Sequence, residues 1–130
     1  MKDIELWLGD CLVEMDRIQN KSIDMILADL PYGVTKNKWD SVIPLDLLWK
    51  HYERIIKDNG AICLFGQDKF SARLMLSNEK LHRYNLIWNK ILVSGFLNAN
   101  KQPMRQHEDI CVFYKNQPLY NPQETKGIPS

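Results

Sequence analysis

The tetrapeptide Asp29-Leu30-Pro31-Tyr32 places a carboxylate, a main-chain carbonyl and an aromatic ring within a single turn. Leu30 precedes a proline and is pushed toward extended backbone, which narrows the directions its carbonyl can take. A carboxylate and a carbonyl side by side are two acceptors, the complement of a primary amine with two hydrogens to donate. Tyr32 adds a flat face on which the ring bearing that amine can stack. In this reading the working atom of Leu30 is its carbonyl oxygen, and its isobutyl group matters little. The bland alternative is an ordinary turn with a satisfied Asp and a packed Tyr. Upstream, Asp10 in Gly9-Asp10-Cys11 suits two roles, a helix N-cap or an acceptor for a ligand. Lys36, Lys38 and Trp39 follow the turn, and residues 90–106 hold Lys90, Lys101 and Arg105 among amides, with no Asp or Glu. That composition suits phosphates and base edges, or equally a solvated loop.

These residues need a scaffold. Ile4, Leu6 and Leu8 alternate with Glu5 and Trp7, the period of a half-buried strand. A short helix is expected over 11–19, where Leu12, Met15 and Ile18 share a face. The run 23–28 is almost continuously apolar, as in a strand covered on both faces. Pro31 and Gly33 forbid its continuation, so the tetrapeptide falls at the strand's carboxyl end. Leu45, Leu48, Trp49, Tyr52, Ile55 and Ile56 form one helical face, expected to be core and closed by Asn59-Gly60. Strands are expected at 61–65, 84–88 and 110–114, with a helix opened by Asp68. Five strands with helices after the first three make an α/β fold with a mostly parallel sheet. Ligands sit outside the carboxyl ends of such strands, where Gly9-Asp10 and Asp29 both fall.

Composition excludes several classes. The 130 residues carry 17 basic and 16 acidic side chains, a net charge of +1 that names no partner. No apolar run reaches the roughly 20 residues of a membrane span, and no signal peptide is evident, so a soluble, cytoplasmic protein is expected. Cys11, Cys63 and Cys111 are far apart and are expected to be free, buried thiols. His51, His82 and His107 have no metal-ligand spacing, and no metal is expected. A nuclease reading, with Asp10 and Asp29 on a metal, lacks an acidic-x-Lys cluster after the second carboxylate.

With the strand before it, the tetrapeptide resembles the D-P-P-Y motif of the amino-methyltransferases that act on adenine N6 or cytosine N4 in DNA. The stretches 7–12, 23–33, 38–40 and 107–115 also look like segments of these enzymes, in the order of the permuted beta class. The resemblance implies part of a Rossmann-like, S-adenosylmethionine-dependent methyltransferase sheet with helices on both faces. It implies that Asp29 and the Leu30 carbonyl accept from the exocyclic amine, with Pro31 shaping the turn and Tyr32 stacking on a base flipped out of double-stranded DNA. Asp10 resembles the family residue that accepts from the cofactor's adenine amine, with the Cys11 backbone and Asp29 near the same ligand. Asp as the motif's first residue favours adenine N6.

Two departures stand out. Leu30 replaces the usual proline, and the family's F-x-G-x-G loop, which grips the methionine end of the cofactor, is not in the sequence. Residues 1–116 thus read as the catalytic-motif portion, and 117–130 as an irregular, proline-rich tail leading to a cofactor-binding portion. A second chain or a further segment is the expected source of that loop. The competing expectation is a catalytically silent remnant or subunit that binds DNA or a partner methyltransferase chain.

Overall fold

Helix α1 (Cys11–Glu14) runs into a 3-10 turn over Met15–Arg17, followed by β1 (Ile23–Ala28), α2 (Leu45–Ile55) and β2 (Ile56–Gly66). Helix α3 (Asp68–Ser77), β3 (His82–Ser94) and β4 (Arg105–Phe113) complete the order. This computed structural model describes residues 3–31, 43–94 and 105–124, with the backbone alone at 91–94 and 105–106.

The strands make one four-stranded sheet in the order β1-β2-β4-β3. Only β1 and β2 are parallel; β4 runs antiparallel to both β2 and β3. The α/β class therefore stands, but the sheet is mixed rather than mostly parallel. Strands β3 and β4 lie side by side as antiparallel neighbours, paired from His82↔Phe113 to Ser94↔Arg105.

Packing on one face follows the helical stripe of α2. Leu48, Trp49, Tyr52 and Ile55 are buried together with Ile62 and Leu64 of β2, Cys111 and Phe113 of β4, and Phe70 and Leu74 of α3. The Trp49 ring meets Phe113 edge-on, with centroids 4.7 Å apart, and its Nε1 donates to Ser77 Oγ at 2.8 Å. A buried indole thus gains both an aromatic contact and a partner for its one donor. The expected helix closure at Asn59-Gly60 does not occur. Helix α2 passes directly into β2 at Ile56, and the register jumps from Ile23↔Ile56 to Met25↔Ala61. Residues 57–60 form the excursion that absorbs the mismatch, with Gly60 close against the Asp24 carbonyl.

The register also defines the other face, which carries Met25 and Leu27 of β1, Ala61, Cys63 and Phe65 of β2, Ile110 and Val112 of β4, and Tyr84, Leu86 and Trp88 of β3. No helix covers it among the described residues. Met25, Leu27, Leu86 and Trp88 are all exposed, while residues 117–120 run along Cys63, Tyr84 and Val112 and enclose a groove with them. The run 23–28 is consequently not covered on both faces, as its apolar composition suggested.

Residues 4–8 are not a strand, contrary to their alternation. Ile4, Leu6 and Leu8 are almost fully exposed, and no strand among the described residues pairs with them. Alternation marks two faces, but a strand exists only when its N–H and C=O groups find a ladder. The 11–19 helix is real but shorter, ending at the 3-10 turn. Among the cysteines, all three are free and Cys63 and Cys111 are buried, but Cys11 is exposed.

Candidate active site

The carboxyl ends of β1 and β2 bring together Asp29, Leu30, Pro31, Gly66 and Gln67, and antiparallel pairing adds the first half of β4 and the second half of β3. Asp29 and Pro31 reach solvent, whereas Leu30 is 7% exposed and belongs to the main hydrophobic core. The expectation that the Leu30 side chain matters little is therefore wrong. Its isobutyl group pins the turn to the core, so that the residues on either side point outward. Pro31 restrains Leu30 from the other direction.

Gly66 closes the turn from β2 into α3. A Cβ there would lie 2.8 Å from Ser71 Oγ and 3.0 Å from Ser71 Cα, so only glycine lets α3 start this near the strand end. Gln67 then donates from Nε2 to the His107 carbonyl at 3.3 Å, tying the β2 end to β4.

Two charges act on Asp29, and both come from strands distant in sequence. Burial raises its carboxyl above the usual aspartate range, Glu108 raises it further, and Lys90 pulls it back. Lys90 Nζ and Glu108 Oε1 are 2.8 Å apart, with side chains only 21% and 15% exposed. Glu108 stands opposite Trp88 in the β3–β4 ladder, so Lys90, two residues on, is its diagonal neighbour on the same face. Beside them the Trp88 ring packs edge-on against Phe65, centroids 5.3 Å apart.

Glu108 was missed by reading residues 90–106 as an acid-free basic loop. The alternation Glu108, Ile110, Val112 was the available signal, since it places the carboxylate on the open face at the strand's start.

Asp10 caps α1: its Oδ1 accepts from Leu12 N at 2.9 Å, which leaves Oδ2 without a hydrogen bond in the cap. Gly9 before it has φ of 149°, and a Cβ there would meet the Glu14 carboxylate at 2.6 Å. The thiol of Cys11 is raised by partial burial and by neighbouring Asp10. Arg54 of α2 holds this segment in place, donating to the carbonyls of Met15 at 2.8 Å and Ile18 at 2.6 Å and to Asn20 Oδ1 at 3.0 Å. Nothing local in the sequence announced that clamp.

Of the other expected site residues, Tyr32, Lys36, Lys38, Trp39 and Lys101 lie outside the described residues, and Arg105 is described by its backbone alone. Among the described residues no cluster of His, Cys, Asp and Glu could hold a metal, and no helix is long and apolar enough to cross a membrane.

The sheet and its helices are shared with known proteins. The model of the N6/N4 methyltransferase family, described as DNA methylase, matches residues 23–128, and the chain belongs to that family. Among curated relatives, the type II methyltransferase M2.MboI of Moraxella bovis is 29% identical over 68% of this chain and 42% of its own length. The DNA adenine methyltransferase YhdJ of Escherichia coli (strain K12) is 25% identical over 86% of this chain and 41% of its own. The chain thus spans about two fifths of the length of these relatives. Among solved structures, the cytosine-N4-specific PvuII DNA methyltransferase superposes with a TM-score of 0.66 at 15% identity, covering 86% of this chain and 49% of that one. The M1.HpyAVI–SAM complex gives 0.62 at 16% identity, covering 91% and 58%. At such identities the structural likeness speaks for the fold.

Proposed function

We propose that this chain is the catalytic-motif portion of a DNA methyltransferase that moves a methyl group from S-adenosylmethionine to the exocyclic amine of a flipped base, adenine N6 before cytosine N4. The observation that carries the reading is the arrangement at Leu30. With its side chain in the core, the Asp29 carboxylate sits on the solvent side of the turn at a strand's carboxyl end. Asp29 and the Leu30 carbonyl then accept one amine hydrogen each. Holding both hydrogens directs the nitrogen's electron pair, which is otherwise spread into the ring, toward the methyl carbon. The carboxylate also balances the positive charge that develops on nitrogen. Partial burial and Glu108 raise its proton affinity, which makes it a stronger acceptor. Tyr32 stacks on the base, and Lys36, Lys38, Trp39, Lys101 and Arg105 contact the DNA strand around it.

S-adenosylmethionine, when bound, supplies the activated methyl group. The described residues fit its adenine end: Asp10 retains one oxygen outside its capping bond, beside the exposed start of α1. For the methionine end the sequence offers no glycine-rich loop, and a second chain or further segment is the proposed source.

The test is transfer of tritiated methyl to DNA by the 130-residue chain, alone and joined to a segment carrying that loop, followed by nucleoside analysis. N6-methyladenine with the joined form supports the reading, and N4-methylcytosine corrects the base. No transfer in either form favours the second reading, a silent subunit that binds a partner chain. That alternative draws on the exposed Ile4, Leu6, Trp7 and Leu8 and the exposed Met25 and Leu27 of edge strand β1.

A further inference from the structure

The ion pair between Lys90 and Glu108 is not explained by the motif, by the cofactor or by the core. Both side chains are largely buried at the edge of an otherwise apolar face, beside Trp88. Removing two charges from water is costly, and a hydrophobic pair of equal volume would generally hold the strands at least as well. Stability is thus a poor reason for the pair, and its position offers a better one. It stands at the carboxyl edge of the sheet on the face of Met25 and Leu27. The exposed Asp29 belongs to that same face because Ala28 and Leu30 on either side turn to the core. Both members of the pair act on its carboxyl.

We propose that Lys90 and Glu108 form a positioning pair for Asp29, in which a buried ion pair sets how strongly the Asp29 carboxylate attracts an amine hydrogen. Its catalytic consequence rests on the methyltransferase reading, whereas the electrostatic coupling does not. Glu108 provides a like charge that makes Asp29 hold a hydrogen more tightly. Lys90 anchors Glu108 and limits that effect, so that Asp29 remains available as an anion.

The other groups at this edge do not duplicate the arrangement. β2, between β1 and β4, ends in Phe65 and Gly66, followed by the neutral Gln67 and by Asp68 at the start of α3. His107 and Asp109 flank Glu108 in β4 but alternate to the opposite face, opposite Asn89 and Ile87. Asp10 caps α1 and Cys11 begins it, and among the described residues the charges that act on Asp29 are Glu108 and Lys90. The pair also changes the reading of Lys90. Its ammonium is held by a carboxylate on the same sheet rather than presented to a phosphate.

The experiment is a carbon-detected NMR titration of the Asp29 carboxyl in the 130-residue chain, wild type against Glu108→Gln, Lys90→Met and Lys90→Arg. Glu108→Gln should move the titration midpoint down, Lys90→Met should move it up, and Lys90→Arg should leave it near wild type. A structural role alone would not give opposite signs. An unmoved midpoint in Glu108→Gln, or a downward move in Lys90→Met, overturns the proposal. Should Lys90→Met fail to fold, the Glu108→Gln and Lys90→Arg arms still decide, joined by the charge-free double variant Lys90→Met/Glu108→Gln, which must differ from Glu108→Gln by an upward move. In the joined, active form the acidic limb of kcat should shift in the same directions, with KM little changed. If wild type transfers no methyl, the methyltransferase reading fails while the titration still judges the pair. Were Lys90 instead a phosphate contact, Lys90→Met would lower the salt slope of DNA binding by about one unit and leave the Asp29 midpoint in place. That result would also refute the pair.

Discussion

Replacing Leu30 separates two views of the catalytic turn. If only its carbonyl worked, Leu30→Pro would be neutral or mildly favourable, since proline keeps the carbonyl and narrows its direction. The burial of Leu30 at 7% exposure, inside the main core, predicts otherwise. Truncation to alanine removes three buried carbons, and such Leu→Ala changes cost about 2–5 kcal/mol, depending on how far the site collapses. At the sheet's edge the turn can relax, which places Leu30→Ala near the lower end, about 2–3 kcal/mol. Leu30→Pro ties its Cδ back to the backbone nitrogen, so the two δ-carbons of leucine leave the core, while the restricted unfolded chain offsets about 0.4–1 kcal/mol. It should therefore lose only about 1 kcal/mol, two carbons at about 0.8 kcal/mol each less that offset. Leu30→Met, which conserves volume, should stay within about 1.5 kcal/mol of wild type. Urea unfolding followed by circular dichroism gives these differences directly. The expected order is wild type, then proline, then alanine, with alanine melting roughly 5–12 °C lower on the usual scaling for a chain of this size. A Leu30→Ala protein within about 0.5 kcal/mol of wild type, the scatter of an ordinary surface change, would refute the anchoring argument.

Other substitutions test the chemistry and its cost. In the active, joined form, Asp29→Ala should lower methyl transfer by about 100-fold or more, roughly 3 kcal/mol of transition-state stabilisation, with little change in DNA affinity; transfer within a few fold of wild type would make Asp29 structural. Because the folded state raises the Asp29 carboxyl, it binds a proton there that the unfolded chain has already lost, so this group's contribution to stability falls as pH rises through the ordinary aspartate range toward the raised value. Asp29→Asn should therefore melt higher than wild type at pH 7, with the gap narrowing as pH falls below the usual aspartate range; a constant gap in thermal scans would contradict this. Tyr32→Ala should weaken capture of the flipped base by about 1–3 kcal/mol, read as reduced 2-aminopurine fluorescence at the target site, and equal fluorescence in the two proteins would remove the stacking role.

The parts legible in the sequence were those set by neighbours along the chain. A proline after Leu30 and an apolar run before Asp29 dictate a strand that ends in a restrained turn, and the structure has β1 ending at Ala28. The stripe of α2 announced Trp49 and Tyr52 as core, and both are buried. The cap at Asp10 was likewise readable, because capping is a contact within three residues. What the tertiary structure decided was everything that depends on which strand lies beside which. Antiparallel pairing of β3 with β4 puts Lys90 against Glu108, and the order β1-β2-β4-β3 sets both on the same edge and face of the sheet as Asp29, with β2 between. The same order leaves residues 4–8 without a ladder, despite a strand's alternation. Burial of Leu30 also came from outside its neighbourhood, since it rests on a core built by residues of other elements. Local chemistry limits the conformations each segment can adopt, but charge coupling and burial depend on distances across the fold, and these exist only after residues far apart in the chain have packed.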